Sequence, residues 1–436
     1  MTAVSVYLDV ANTPQQVGTL YSHLRKGRQG TSFRYEPEYL SLPTSFALEP
    51  AMSLSAGDYA YAHGLPHSFR DASPDRWGRL LIQKALRAQW TSQNQALRIL
   101  AELDYLLGTS DFTRQGALRF KRSGDTEFQA QGSHVPKVIA LPQLLNAAHR
   151  FCKQGVYDSD DSHDFEAIKT LLDAGTGSLG GARPKSVVID KLTDGSQILY
   201  LAKFPHPSDE WDVMLWEKVC LDIAEIAGIE VPKSKLVSVE GNNVLLLQRF
   251  DRRLDGSRIA YMSAMTLLEK GDGDASDYLE IADALSGVSE QTSLDLKQLW
   301  CRIMLSLAIN NTDDHLRNHG LLRGKNGWQL SPVFDINPEP RLEASRVTSI
   351  NAAFDFDLGY EAIKDSAEWF GLSQTSAKEH EAHIVKAVSQ WKGIAKRYGA
   401  KADEVRLFAP VFERILQKGV APKPSSLSST IAIQTL

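Results

Sequence analysis

Three oxygen-bearing side chains in the second half of the chain have the types and spacing to handle a phosphoryl group. Asp313 and Asn318 stand five residues apart, in Asn310-Asn311-Thr312-Asp313-Asp314-His315-Leu316-Arg317-Asn318. Asp335 follows seventeen residues after Asn318, inside the apolar run Pro332-Val333-Phe334-Asp335-Ile336. Phosphoryl transfer asks a protein mainly for positioning and charge neutralisation, with no covalent intermediate. An aspartate facing the attacking hydroxyl, with an amide and a second carboxylate to hold magnesium, satisfies that list. Each of these residues alone reads as an ordinary helix-end or turn cap. It is the three in register that point to catalysis.

The elements around them are the ones such a site needs. Leu299, Ile303, Leu305, Leu307 and Ile309, interrupted only by Arg302 and Ser306, predict a buried helix whose end delivers the polar loop. Upstream, Gly175-Thr176-Gly177-Ser178-Leu179-Gly180-Gly181-Ala182-Arg183-Pro184-Lys185 places four glycines between a helix and the strand-like Val187-Val188-Ile189. Glycines let backbone N–H groups approach and cradle phosphate oxygens, although the glycines by themselves also suit a flexible turn. A Walker loop is excluded, because Pro184 precedes Lys185 and a strand follows. A glycine-rich hairpin over a nucleotide fits better. Lys203 ends the apolar run Ile198 to Ala202 just before Pro205, and a buried ammonium there must find an anion. That anion would be a nucleotide phosphate, with Glu217 of the following helix, Val213 to Ala227, as counter-ion; a solvated Glu217 is the alternative. Asn242 to Phe250 reads as a strand buried on both sides. It exits into a more helical half, where a two-lobed kinase has its adenine-binding hinge.

With 436 residues, 43% hydrophobic and 23% charged, the chain divides into two or three globular units. A net charge of −5 argues against nucleic acid held directly by a general electrostatic surface. Cys152, Cys220 and Cys301 lie far apart in apolar surroundings, as reduced core residues of a cytoplasmic protein do. No signal peptide is legible, and no apolar run reaches the roughly 18 residues of a membrane span. The first 120 residues begin with strands at Ser5–Val10 and Thr31–Tyr35. Pro74 and Asp75 then open a helix over Leu80–Leu86, a second helix is expected from Asn94 to Leu107, and a strand over Gly116–Phe120. Asp75 needs only a capping role there, and no catalytic group is expected in this unit. Lys121–His134 is the domain boundary, and a helix over Leu141–Cys152 follows it. The acidic run Tyr157 to Asp164 lacks the glycine and distal glutamate of a calcium loop. Residues 262–309 are mostly helical by period. Tyr360–Leu416 reads as amphipathic helices with Trp369, Trp391 and Phe408 as core anchors, and the tail from Gly419 as loosely held.

At this level of detail the chain resembles the HipA-type serine/threonine kinase toxins of bacterial type II toxin–antitoxin modules. The resemblance rests on Tyr35-Glu36-Pro37, Pro74-Asp75-x-Trp77-Gly78, Ser178 to Lys185, Tyr200-Leu201-Ala202-Lys203-Phe204-Pro205, Arg249-Phe250-Asp251-Arg252, Asn311-Thr312-Asp313-x-His315-x-x-Asn318 and Phe334-Asp335-Ile336. It implies an α+β chain with a bilobal protein-kinase-like fold, a mainly helical C-lobe and an additional small N-terminal α/β subdomain. The expected division is 1–125 for that subdomain, 135–250 for the N-lobe, 251–420 for the C-lobe and 421–436 for the tail.

The resemblance further implies a non-specific serine/threonine protein kinase using ATP and Mg2+. Asp313 would be the catalytic aspartate, Asn318 and Asp335 the metal ligands, and Lys203 the contact to the α/β-phosphates. Gln248 and Phe250 would meet adenine through their main chains. Ser178, Gly180, Gly181, Ala182, Lys185 and His315 complete the nucleotide site, His315 more as a hydrogen-bond partner that fixes the loop. Ser178 is the expected autophosphorylation site, with Thr176 as the second hydroxyl. A phosphate there would put about −1.5 to −2 charges beside an anionic nucleotide, expelling the loop and silencing the enzyme. The implied substrate is an aminoacyl-tRNA synthetase, such as glutamyl- or tryptophanyl-tRNA synthetase, whose modification halts translation and leads to persistence. The implied partner is a helix-turn-helix, HipB-like antitoxin through which operator DNA is reached, with no membrane involved. Two other readings compete: a silent relative acting as antitoxin-bound co-repressor, and a metal hydrolase built on Asp313, His315 and His319. The second is disfavoured because no glutamate follows His315 as in a zinc-protease helix.

Overall fold

The computed structural model describes residues 2–10, 12–25, 28–129, 135–153, 168, 170–172, 183–192 and 195–418. Alternation decides its first sheet: Val4, Val6 and Leu8 are buried while their neighbours are less so, the period-two signature of a strand with one face on a core. Strands β1 (Thr2–Val10), β2 (Thr13–Arg25), β3 (Arg28–Tyr35), β4 (Asp58–Tyr61) and β5 (Leu118–Arg122) pair antiparallel in the order β4-β3-β2-β1-β5. Their core gathers Phe33, Phe69 and Phe120. Lys121 and Arg122, read as the start of the boundary segment, pair with Ser5 and Val4 and so belong to this sheet.

Two expectations for this unit are corrected. The helix read over Asn94–Leu107 spans only Glu102–Gly108. Asn94 takes a left-handed backbone, with φ of 52°, and Ile99 is 91% exposed, so that stretch has no face to bury. The helix starts where the Asp104 carboxylate accepts the Ala101 N–H at 2.8 Å. The second correction concerns packing: the helix Arg76–Ser92 lies within the expected first unit, yet Trp77 and Leu81 pack with Phe151, Val188, Tyr200 and Leu246.

Those partners belong to a second antiparallel sheet of β6 (Lys185–Lys191), β7 (Gln197–Lys203), β8 (Ser234–Val239) and β9 (Asn242–Gln248), in the order β6-β7-β9-β8. Tyr200 and Ala202 face the cluster of Trp77, whereas Leu201 faces the helical half, which is why β7 reads as an unbroken apolar run. By the same two-residue period Lys203 follows Leu201 onto the helical face.

The helical half is built on Val213–Ile226 and Thr292–Ala308. The first is capped by Asp212, which accepts the Leu215 N–H at 3.0 Å, and ends before Gly228, whose φ of 77° suits a residue without a side chain. Its Trp216 packs 4.2 Å from Phe408, and Trp391 stacks 4.8 Å from Phe412. Trp369, expected as a third anchor, is instead 60% exposed. It lies in the 3-10 turn Ala367–Phe370, whose three-residue period turns Ala367 and Phe370 inward and leaves Trp369 outside. Short strands β10 (Tyr261–Ser263), β11 (Ser276–Asp277), β12 (Gly320–Arg323), β13 (Trp328–Leu330) and β14 (Thr348–Ser349) complete the half. β10, β12 and β13 form one small sheet, and β11 pairs parallel with β14.

Candidate active site

The helix Thr292–Ala308 is buried on nearly every side and ends at Asn310, a left-handed residue with φ of 52°. The Asn310 side chain donates to the carbonyls of Glu339 and Arg341 at 2.8 and 3.0 Å, which draws the chain beyond Asp335 against the loop 311–318. The β12–β13 hairpin carries the chain from Asn318 back to Val333, whose N–H donates to Glu230 at 2.8 Å. Two loops distant in sequence are thereby held side by side. Asp313, His315, Asn318, Asp335, Lys203 and Lys185 line one cleft of about 1110 Å³.

Asp313 and Asp314 are chemically identical neighbours in opposite surroundings. Asp314 is 6% exposed and accepts hydrogen bonds from the Tyr278 hydroxyl and, at 3.1 Å, from Ser306, with His319 Nε2 at 3.2 Å. Burial works to raise its carboxyl, but the His319 ring, the Tyr278 hydroxyl and Arg346 outweigh it and hold Asp314 well below the usual carboxylate range. Asp313 is exposed to the cleft, and its carboxylate has no hydrogen-bond partner among the described residues. Partial burial, then the negative charges of Asp335 and Asp314, push its carboxyl up, against the pull of His315. Asp314 therefore builds the loop, and Asp313 is the carboxylate free to meet a ligand.

Lys203 Nζ donates to both oxygens of Glu217, at 2.7 and 2.9 Å, and to Asp335 Oδ1 at 2.8 Å. Glu217, 1% exposed, is thus the counter-ion and not a solvated residue. Burial alone would lower the Lys203 ammonium, and the two carboxylates outweigh it, so the lysine stays charged. For Asp335 burial works upward, yet Lys203 first and then Lys185 and His315 bring its carboxyl down to about 2. Asp335 has φ of 58°, a left-handed backbone that costs a non-glycine residue about 1–3 kcal/mol. The Lys203 bond and an Asn337 Nδ2 contact at 3.2 Å hold it there. Asn318 Nδ2 donates to the Asp313 carbonyl at 3.3 Å, so its amide oxygen is the end left for a cation.

The other expected residues fall as follows. Gln248 and Phe250 line a smaller pocket that adjoins the cleft through Lys203, Phe334 and Asp335. The Gln248 N–H already donates to Lys233 at 2.8 Å, so its main chain has only the carbonyl to offer a base. The Phe250 ring packs 5.5 Å from Phe334. His315 Nδ1 is buried without a hydrogen-bond partner; the main chain fixes this turn, His315 N–H to Asp313 at 3.0 Å and Asn318 N–H to His315 at 2.8 Å. His319 stands edge-on to Tyr278 at 5.5 Å, beside Asp314 and away from the cleft. No group of three metal-ligating His, Cys, Asp or Glu residues occurs among the described residues, as a hydrolase built on His315 and His319 would require. Thr176, Ser178, Gly180, Gly181 and Ala182 lie outside the described residues.

Sequence reasoning missed one wall entirely. Asp75, Arg76 and Arg79 of the N-terminal unit line the same cleft as the loop 311–318, Gln115 reaches the smaller pocket, and Asn337 joins Asp335. The signal lies in the Pro74-Asp75-x-Trp77-Gly78 turn, whose local pattern shows only the cap.

Fold and site together define a two-lobed, kinase-like α+β protein with an added N-terminal unit. The HipA-like C-terminal domain model matches residues 177–393, and the HipA N-terminal domain model matches residues 8–104. The chain belongs to the HipA family. A putative kinase of Haemophilus influenzae is 26% identical over 216 residues, 43% of this chain and 60% of that protein, so the chain spans less than two thirds of its length. In the solved complex of the Shewanella oneidensis toxin–antitoxin system HipA, HipB and its operator DNA, one chain matches at 13% identity. The match covers 95% of this chain and 96% of that one, with a TM-score of 0.63. No helix among the described residues is long and apolar enough to cross a membrane.

Proposed function

We propose that this chain is an ATP- and magnesium-dependent toxin kinase that transfers the γ-phosphoryl group to a serine or threonine hydroxyl. The observation that supports it most is the contrast within the cleft: Asp313 unpartnered and facing solvent, Asp335 locked onto the Lys203–Glu217 pair. In that role Asp313 orients the acceptor hydroxyl and takes its proton. Lys203, kept charged and kept from swinging by Glu217, neutralises phosphate oxygens at the cleft floor. The Gln248 carbonyl and the Phe250 ring border the base.

The residues fit magnesium. Asn318 and Asp335 supply hard oxygen donors, and Asn337 Oδ1 is a buried oxygen with no partner beside them. So small a cation takes few protein ligands and completes its shell with phosphate oxygens and water. When bound, it neutralises the charge that develops on the transferred group. The proposal includes an aminoacyl-tRNA synthetase as acceptor, and a helix-turn-helix antitoxin that restrains the enzyme and carries it to operator DNA.

Purified protein incubated with magnesium and ATP tests it by intact mass. The expected result is a gain of one phosphoryl group that maps to Ser178, disappears in Ser178→Ala and disappears in Asp313→Asn. No transfer, either to itself or to an added synthetase, overturns the proposal.

A further inference from the structure

A cap accounts for only half of Asp75. Its Oδ1 accepts the Gly78 N–H at 2.8 Å, which starts the helix Arg76–Ser92, while its Oδ2 accepts the Lys185 ammonium. Two residues on, Trp77 Nε1 donates to the main-chain carbonyl of Lys185 at 3.2 Å, and the Trp77 ring packs edge-on to Phe151 at 4.9 Å. Lys185 is the first residue of β6, directly after the glycine-rich stretch, and is 2% exposed. An ammonium so buried needs an anion, and the chain supplies one from 110 residues away. Asp75 and Lys185 both line the cleft that holds Lys203, Asp313 and Asp335, and the Lys185 charge acts on Asp335.

We infer that Asp75 is a positioning residue for nucleotide binding: through it the N-terminal unit holds the Lys185 ammonium in place for the phosphates. The inference rests on the kinase proposal above, in which Lys185 meets the nucleotide. An ammonium carries three donors, so the bond to Asp75 does not by itself keep Lys185 from meeting an anion. Without Asp75 the long side chain loses a buried anion that fixes where its ammonium sits. The N-terminal unit then has a part in the chemistry besides a part in the fold.

Asparagine and alanine at position 75 separate the two roles, since asparagine caps a helix as well as aspartate does but carries no charge. Asp75→Asn keeps the cap but takes the anion from a buried ammonium, so it is expected to lose less melting temperature than Asp75→Ala and, at a temperature where it is folded, to bind MgATP about tenfold more weakly, within the range seen for contacting pairs. Asp75→Glu restores part of the affinity, and Asp75→Ala lowers both affinity and melting temperature. Adding Asp75→Asn to Lys185→Met is expected to weaken binding no further than Lys185→Met alone. Wild-type affinity in Asp75→Asn, or full additivity in the double variant, overturns the inference while leaving the kinase proposal standing. A wild-type protein that does not bind MgATP overturns both.

Discussion

Two buried charge clusters, one just past the end of β9 and one in the cleft, differ in what they leave open. In the first, Asp251 accepts from Arg249 Nε at 2.8 Å, Arg249 Nη2 at 2.6 Å, Arg252 Nη1 at 2.9 Å and the Gly116 N–H at 2.7 Å. The two guanidinium groups spend further donors on the carbonyls of Thr113, Arg114 and Gly116. Burial works to raise the Asp251 carboxyl, but Arg249 and Arg252 outweigh it and hold it well below the usual range. Both Asp251 oxygens are committed, and the cluster locks the N-terminal unit onto the strand end of β9. The second cluster, Lys203 with Glu217 and Asp335, is as deeply set at its lysine, yet Asp335 Oδ2 has no partner among the described residues and faces the cleft. Burial and ion pairing are common to both. A closed set of hydrogen bonds specifies structure, whereas the set with an open valence is where a ligand can enter.

That contrast can be broken by substitution. On the proposed kinase reading, Asp313→Asn is expected to lower phosphoryl transfer by about 10²–10⁴-fold with the melting temperature unchanged, because a general base would be lost from a side chain with no partner among the described residues. Steady-state phosphate incorporation alongside thermal melts checks both halves. Asp251→Ala is expected to do the reverse, destabilising the fold by about 3–5 kcal/mol, since two buried guanidinium groups lose their anion. Chemical denaturation measures it, and a loss below about 1 kcal/mol would mean that the backbone carbonyls alone hold the latch.

Acid separates the carboxylates more finely. The Asp335 carboxyl falls from an ordinary 3.8 to about 2, so its stabilising contribution is complete above about pH 4 and is lost as pH falls toward about 2. Melting temperatures across that window are expected to drop less steeply in Asp335→Asn. The Asp313 carboxyl is raised above 3.8 and, in the proposed role, would have to be ionised to take the hydroxyl proton, so the acid limb of kcat/KM is expected above that value. The smallest expected effect is at the surface: Trp369→Ala should change stability by about 0.5 kcal/mol or less, against about 3–5 kcal/mol for Trp391→Ala. Equal losses at the two tryptophans would contradict the exposure of Trp369.

Much of the site was legible because its signals are local. Apolar period marked the helix that delivers Asp313, β7 that delivers Lys203, and the strand run toward Gln248; the spacing of Asp313, Asn318 and Asp335 marked three side chains that meet in one cleft. Motif and period do not report what packs across from a residue. Trp369 and Trp391 look alike as aromatic residues in amphipathic helices, and only the phase of a 3-10 turn sends one outward. Asp75 looks like any helix cap, because its second oxygen meets Lys185 across a contact that no local pattern encodes.

Sequence alone determined which polar groups the chain has to offer a ligand, since side-chain chemistry and short-range periodicity are properties of a few adjacent residues. Tertiary structure decided which of two adjacent aspartates faces the cleft and which carboxylate Lys203 and Lys185 each pair with. It also decided that the N-terminal unit forms a wall of the site. Those outcomes depend on burial and on long-range charge pairing, which exist only once distant segments have been packed against one another.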